Sequence, residues 1–194
     1  SVASGAHHNL LIALATSNGT AVLLFVLRSA ESMTDRYWFL LWNLFLGWLP
    51  LLFAWLLVRN LQHKLWSHWH NIGLSLLWLG FLPNSFYLMT DLIHLHQTGE
   101  VSVLYDVVMF CSFIFNGLVA GFMSLYLVHR QLRLRLSTRS TTSVVGAVLL
   151  ACSFALYLGR SLRWNTWDVL LHPAGILFDV SDRVINPGQH PYAY

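Results

Sequence analysis

The sequence predicts an all-α protein: a polytopic membrane helix bundle with about five transmembrane helices and a C-terminal interfacial amphipathic segment. Of its 194 residues, 56% are hydrophobic and only 10% are Asp, Glu, Lys or Arg, whereas about 25% are charged in an ordinary soluble domain. The mean hydropathy is +0.57. The 9 Trp, 7 Tyr and 12 Phe are of the kind that collects at membrane interfaces. These values exclude a disordered chain and argue against a water-soluble globule.

Five apolar runs are long enough to cross a bilayer, because a membrane helix needs about 20 mostly apolar residues. They cover residues 9–27, 37–58, 72–95, 101–128 and 143–159. The first run is interrupted by the polar stretch 16–20, which is tolerated only against other helices or water. The connections are short, so we expect a single membrane domain over residues 1–194.

The pattern changes beyond Arg160. Residues 164–185 are amphipathic, are broken by His172-Pro173 and are too polar to span a membrane. We therefore expect this segment to lie at the membrane interface.

The basic residues predict an orientation in the cell membrane. If the five spans alternate, one side carries six basic residues and no acidic residue: Arg59, Lys64, Arg130, Arg133, Arg135 and Arg139. The other side carries the remaining five arginines and all eight acidic residues. Positively charged loops tend to stay in the cytoplasm, so we expect the cluster at 130–139 and the N-terminus to be cytoplasmic. The basic residues lie in short loops between apolar runs, so membrane lipids rather than nucleic acid are the expected partners.

Polar residues inside three spans recur at helical spacing. They are Asn84, Tyr87, Asp91 and His94 in the third span, Tyr105, Asp106, Ser112 and Asn116 in the fourth, and Ser153, Tyr157, Arg160 and Arg163 in the fifth. The spacing of 3, 4 and 3 in the third span places its four residues on one helix face. Alternating chain direction puts all three sets in the outer half of the membrane. Because a buried polar group costs several kcal/mol unless it is paired, we expect the sets to surround a polar pocket.

Two residues of the third span have alternative interpretations. Pro83 frees a backbone carbonyl near Leu79, and Asn84 can help to satisfy it. Pro83 therefore either makes a simple kink or opens a site around Tyr87 and Asp91. Asp91 either forms an ion pair with Arg160 or Arg163, or binds a ligand or catalyses a reaction.

The run GRSLRWNTWD, residues 159–168, contains a possible anion clamp. Arg160 and Arg163 lie one helical turn apart, and two guanidinium groups at this spacing suit phosphate or carboxylate. Interface anchoring and an internal ion pair are the alternatives. Trp164, Asn165 and Asp168 complete the predicted ligand-binding set.

The sequence predicts no metal site and leaves the cofactor unknown. His94 and His96 follow Asp91 with metal-capable chemistry, but the two histidines cannot share a helix face. None of the ten histidines lies in mid-span, which argues against haem or pigment at the membrane centre. Cys111 and Cys152 fall inside apolar runs, so we predict neither a disulfide framework nor a zinc motif.

The run FLPNSFYLMTDLIHL, residues 81–95, resembles a motif of an uncharacterised bacterial membrane family, catalogued as domain of unknown function 1361. The similarity extends to Tyr105-Asp106, to LYLGRSLRWNTWD at 156–168 and to WNLFLGWLPLLFA at 42–54. This chain has Phe86 where the family usually has a second proline, and family members continue into a further C-terminal span. The resemblance implies a multi-span bacterial membrane protein and supplies no reaction.

Three functions are compatible with the sequence. The first is binding or transport of an anionic small molecule or lipid headgroup in the outer-half pocket. The second is a role as an accessory or structural subunit of a larger membrane complex. The third is a membrane-embedded hydrolase or transferase in which Asp91 or Asp106 acts as base and His94 as acid–base partner. No nucleophile elbow, H-E-x-x-H motif or glycine-rich phosphate loop supports this enzyme.

Overall fold

A computed structural model describes residues 2–97 and 99–161 and the single residues 174, 175, 178 and 181, with side chains described from residue 12 to residue 160 in the long segments. Within these residues all regular secondary structure is helical, and there are no strands. The helices are α1 (Val2–Ser32), α2 (Phe39–Leu61), α3 (Trp69–Tyr87), α4 (Val103–Arg133) and α5 (Thr138–Ser161), and a 3₁₀ helix covers Leu88–His94.

The predicted fold class and the five spans are confirmed. The segments long and apolar enough to cross a membrane are Ile12–Ser32, Phe39–Leu61, Trp69–His94, Val103–Arg133 and Thr138–Arg160. The protein is therefore an integral membrane protein built of helices. The first span runs five residues past its predicted end at Leu27, because Arg28 is buried and does not end the helix. The interfacial segment at 164–185 lies outside the described residues, except for 174, 175, 178 and 181.

The chain divides into two compact units, Ser1–Thr141 and Thr142–Tyr194. The first unit holds α1 to α4 and the 3₁₀ helix, and the second holds most of α5. The expected single domain over residues 1–194 stays a prediction.

The core of the first unit is formed by side chains from α1, α2, α4, the 3₁₀ helix and Tyr37. Within this unit α2 packs against both α3 and α4, and α4 also packs against α1. The buried cluster consists of Ala21, Phe25, Tyr37, Leu40, Leu44, Leu88, Met109, Phe110 and Phe113. This core lies toward the ends where α1 and the 3₁₀ helix finish and where α2 and α4 begin.

The first unit has two ends of opposite charge. The end formed by residues 28–38 and 91–106 carries all five of its acidic residues together with Arg28 and Arg36; we call it the acidic end. The end formed by residues 59–70 and 129–139 carries six basic residues and no acidic residue; we call it the basic end.

Glycine allows α3 to approach both of its neighbours closely. A Cβ atom on Gly117 of α4 would lie 2.6 Å from Leu88 Cδ1 and 3.0 Å from the Ser85 carbonyl oxygen. From the opposite side, a Cβ on Gly47 of α2 would lie 3.1 Å from the same Leu88 atom, and Ser85 Oγ donates to the Gly47 carbonyl at 2.7 Å. Gly117 and Gly121 form a small-xxx-small pair, the usual means by which membrane helices pack closely.

The buried edge of the third span differs from the face that the sequence predicts. Leu82, Ser85, Leu88 and Asp91 are buried, at intervals of three residues. The reason is the change from α-helix to 3₁₀ helix after Tyr87, because a 3₁₀ helix has three residues per turn. Of the four residues expected on one face, Asp91 is therefore buried, Asn84 and Tyr87 are half-buried and His94 is exposed.

Pro83 lies inside α3, which continues for four more residues to Tyr87. Asn84 Nδ2 donates to the Phe81 carbonyl at 3.1 Å. The Asn84 side chain thus satisfies the carbonyl of Phe81. The sequence predicts instead that it would satisfy a carbonyl near Leu79, two residues earlier.

The orientation of the protein can be tested with two matched glutamines. Gln97 is exposed at the acidic end and Gln62 is exposed at the basic end. In a Cys111→Ala/Cys152→Ala background, we expect a membrane-impermeant maleimide to label Gln97→Cys in intact cells and to label Gln62→Cys only after permeabilisation, because the basic loops should stay in the cytoplasm. The reverse pattern would contradict the orientation.

The glycine contact predicts a position-specific loss of stability. A Cβ at Gly121 would lie 2.8 Å from Ser85 Cβ, whereas a Cβ at Gly80 would meet nothing within 4 Å. We expect Gly121→Ala to lower the free energy of unfolding by about 1–3 kcal/mol and Gly80→Ala to raise it by up to about 1 kcal/mol. Equilibrium unfolding in detergent micelles measures both, and equal effects would mean that α3 and α4 are not in close contact.

Candidate functional site

The polar groups of the acidic end are organised around Arg28. This α1 side chain is 1% exposed, and its Nε donates to Asp106 Oδ1 at 3.0 Å. Its Nη2 donates to Glu100 Oε2 at 3.2 Å. Its Nη1 donates to Ser32 Oγ at 3.0 Å and to Thr34 Oγ1 at 3.3 Å. Arg28 therefore connects α1 with the first turn of α4 and with the loop that precedes α4.

Tyr37 covers one face of the Arg28 guanidinium. The guanidinium carbon lies 4.5 Å from the centroid of the Tyr37 ring, a cation–π contact. Burial, followed by the charge of Asp106, raises the pKa of the Tyr37 phenol, so the hydroxyl stays neutral. Tyr37 Oη and Asp106 Oδ2 are both buried, and neither has a hydrogen-bond partner among the described residues.

Glu100 extends this group of residues toward the surface. We call Arg28, Tyr37, Asp106, Glu100 and Arg36 the Arg28 cluster. Its Oε2 accepts from Arg28, and its Oε1 accepts from Arg36 Nη2 at 3.0 Å. The side chain of Arg36 is 49% exposed. The cluster therefore runs from a fully buried arginine, through a partly exposed carboxylate, to an arginine at the surface.

A second buried carboxylate lies on the 3₁₀ helix. Asp91 is 1% exposed, and its Oδ2 accepts a hydrogen bond from Asn43 Nδ2 of α2 at 2.8 Å. The pairing of Asp91 with Arg160 or Arg163 stays a prediction. Arg160 belongs to the second unit, and Arg163 lies outside the described residues.

Within the polar stretch of the first span, the side chain of Asn18 is satisfied by neighbouring helices, whereas the exposed hydroxyls of Thr16 and Thr20 donate to carbonyls of α1 itself. Asn18 Nδ2 donates to Asn116 Oδ1 of α4 at 2.9 Å, and Trp48 Nε1 of α2 donates to Asn18 Oδ1 at 2.9 Å. Nearer the acidic end, Tyr105 Oη donates to the Leu24 carbonyl at 2.8 Å. Asn116 and Tyr105 therefore link α4 to α1.

The predicted site residues fall into three groups. Asn84, Tyr87, Asp91, His94, Tyr105 and Asp106 all belong to the first unit. Among them Asp106 joins the Arg28 cluster, while the ring of His94 lies edge-on to Phe39, with 5.3 Å between the centroids. Arg160 belongs to the second unit. Arg163, Trp164, Asn165 and Asp168 lie outside the described residues.

Sequence reasoning did not include Arg28, Arg36, Tyr37 and Glu100 in the site. One signal could have found Arg28: it continues the buried stripe of α1 that contains Ala21 and Phe25, at a helical spacing of 4 and 3. A charge on the buried face of a membrane helix requires a partner of opposite sign, and Asp106 in the first turn of the fourth span is at the matching depth.

The geometry limits what the acidic end can bind. Arg28 already donates to two carboxylates and two hydroxyls, so it is a structural cation. Arg36 is the half-exposed cation of the same cluster. Within residues 12–97 and 99–160, no three His, Cys, Asp or Glu side chains are grouped to hold a metal ion.

A family model described as "Protein of unknown function (DUF1361)" matches residues 42–192 of the chain. Comparison with curated proteins and with solved structures gives no match.

The Arg28 cluster predicts strong and coupled effects on stability. We expect Arg28→Leu or Asp106→Leu alone to lower the free energy of unfolding by about 3–5 kcal/mol, because each leaves a charge buried. The double variant should lose less free energy of unfolding than the sum of the two single losses. It leaves neither buried charge without its partner, and Glu100 retains its ion pair with Arg36. Denaturant titration in micelles measures the four proteins of the cycle, and the exposed Asp35→Ala, expected within about 0.5 kcal/mol of wild type, is the control. Additive losses would show that the two charges do not depend on each other.

Proposed function

The chain belongs to the DUF1361 family of proteins of unknown function, and we propose that it binds or transports an anionic small molecule or a lipid headgroup at its acidic end. Ionisable side chains within membrane spans are expensive and usually mark a ligand or ion pathway. In the first unit the acidic residues Asp91 and Asp106 are fully buried, and both lie at this end. Because the buried acidic residues of the first unit lie at one end of it, we infer that the ligand enters from the acidic end.

The observation that carries the proposal is unsatisfied polarity beside Arg28. Buried polar groups in proteins almost always have a hydrogen-bond partner, and the exceptions call for an explanation such as a bound ligand, water or ion. Tyr37 Oη and Asp106 Oδ2 are two such exceptions among the described residues. Because the phenol is neutral, it can donate to an anionic oxygen, while Asp106 Oδ2 can accept from a donor on the same ligand.

The 3₁₀ helix gives independent support. Runs of 3₁₀ helix longer than three or four residues are uncommon, and within a longer helix they often mark a functional hinge. Here the run is seven residues long and places Asp91 against Asn43. The 3₁₀ geometry therefore holds a carboxylate at a fixed position at the acidic end.

We assign the anionic group of the ligand to Arg36 rather than to Arg28. Arg36 is half-exposed at the mouth of the cluster and can meet an anion from solution. The clamp predicted at Arg160 and Arg163 stays a separate prediction, because Arg160 belongs to the second unit and Arg163 lies outside the described residues. Guanidinium groups bind phosphate and carboxylate through paired hydrogen bonds that lysine cannot reproduce.

A role as a subunit of a larger membrane complex is the second candidate. A groove of about 430 Å³ between α1 and α4 is lined by Ser17, Thr20, Val107, Val108, Cys111, Ser112 and Phe115. Small and hydroxyl-bearing residues at the membrane-facing surface of a helix are typical of helix–helix interfaces in membranes. The groove therefore suits a helix of another subunit.

Tyr37→Phe tests the ligand site, because the hydroxyl has no protein partner among the described residues. We expect the free energy of unfolding to stay within about 1 kcal/mol of wild type, since no such hydrogen bond is lost. Bound anionic metabolite or lipid, measured by mass spectrometry of protein extracted in native nanodiscs, should fall at least about tenfold, equivalent to about 1.4 kcal/mol. Tyr126→Phe, at a tyrosine that is 62% exposed, is the matched control and should retain it.

In the same assay Arg36→Lys should lose the bound anion, because lysine lacks the paired hydrogen bonds of a guanidinium group, while Arg139→Lys should keep it. Retention of the same anion by both Tyr37→Phe and Arg36→Lys would contradict the pocket. A stoichiometric co-purifying protein with no enriched anion would also contradict it and would favour the second candidate.

A further inference from the structure

The basic end of the first unit carries a second surface that the proposed function does not use. We propose that this surface binds the phosphate groups of anionic membrane lipids. It is formed by the two loops that connect α2 to α3 and α4 to α5, together with the helix ends beside them. Its central residues are Arg59, Lys64 and Arg135.

The positive charge of this surface is not neutralised within the described part of the chain. The ion pairs among the described residues join Arg28 to Asp106, Arg28 to Glu100 and Arg36 to Glu100. All three of these pairs lie at the acidic end. The basic end has six Lys or Arg residues and no Asp or Glu.

Each of the two loops has an exposed leucine next to a basic residue. Leu65, between Lys64 and Trp66, is 78% exposed. Leu134, between Arg133 and Arg135, is 74% exposed. An apolar side chain beside a cation suits the boundary between headgroups and acyl chains, where the leucine enters the apolar layer and the cation meets the phosphates.

Tryptophan rings hold two of the guanidinium groups at this boundary. The Arg135 guanidinium lies 5.4 Å from the Trp66 ring centroid, and that of Arg59 lies 5.5 Å from the Trp55 ring centroid. Trp66 is itself fixed, because its Nε1 donates to Ser75 Oγ at 3.0 Å. Tryptophan prefers the membrane–water interface, so Arg59 and Arg135 are positioned at headgroup depth.

These features favour lipid over a soluble anion. A free phosphate would use the cations and leave Leu65 and Leu134 in water, whereas a lipid satisfies the cations and the leucines together. Each basic residue close to an anionic membrane surface strengthens association by about fivefold, equivalent to about 1 kcal/mol. The contact between Arg135 and Trp66 joins the two loops into one surface.

The test compares full-length protein in nanodiscs that contain phosphatidylcholine with a small fraction of spin-labelled phosphatidylglycerol or spin-labelled phosphatidylcholine. We expect the wild type to prefer the anionic lipid, and Lys64→Gln/Arg135→Gln to reduce its relative association constant at least about fivefold. The charge-conserving Lys64→Arg/Arg135→Lys should retain the preference. Inorganic phosphate at 10 times the lipid concentration should not displace the labelled lipid.

Three results would overturn the proposal. One is equal association of the two labelled lipids with the wild type. Another is an unchanged preference in the Gln double variant, and a third is displacement of the labelled lipid by inorganic phosphate, which would identify a soluble-anion site. Both substituted residues are exposed, so thermal unfolding in neutral detergent should match the wild type and exclude misfolding as the cause of a loss. A loss of preference in the Gln double variant is specific to the basic end, because both substituted residues lie there, and it is thereby distinguished from binding of a lipid headgroup at the acidic end.

Discussion

A guanidinium group buried within a membrane span must be neutralised, and the first unit is organised around that requirement at Arg28. Its partners are two carboxylates, two hydroxyls and an aromatic ring, which come from the end of α1, the loop after it, the loop before α4 and α4 itself. Removing either charge of a buried pair usually costs several kcal/mol, because the other charge is left uncompensated. The positions of α1 and α4 at the acidic end are therefore determined by Arg28 and its partners as well as by apolar packing.

Close packing along the third span then fixes the second carboxylate. Gly47 and Gly117 leave room for Leu88 between α2 and α4, and the 3₁₀ geometry that follows places Asp91 on the same edge three residues later. Buried charge is thus held at one end by two different means: an ion-pair cluster around Arg28, and a backbone geometry that positions Asp91 beside Asn43. The opposite end has exposed cations above tryptophan rings, which is the arrangement expected of a surface in contact with headgroups.

The spans could be predicted because the length and apolarity of a membrane helix depend on the bilayer and are visible in the sequence. The site could be predicted only in part. Asp91 and Asp106 stand out as acids within spans, but the arrangement around Asp91 depends on a change from α to 3₁₀ geometry that residue spacing does not reveal. Arg28 lies just beyond the predicted end of the first span, and a single sequence does not show that a carboxylate 78 positions later lies beside it. The predicted arginine clamp depends on residues of the second unit and on residues outside the described part of the chain.

The separation of Arg28 and Asp106 along the chain also affects how the protein is made. Arg28 enters the membrane with α1, whose span has a mean hydropathy of 1.4, against 1.9 for α4. Its buried partner is synthesised 78 residues later, which takes roughly 4–16 s at about 5–20 residues per second. During that interval α1 carries a charge without the carboxylate that neutralises it in the finished fold. Until α4 is made, only the hydroxyls of Ser32 and Thr34 and the ring of Tyr37 are available to Arg28, so we expect α1 to reach its full stability in the membrane only after α4 has been inserted.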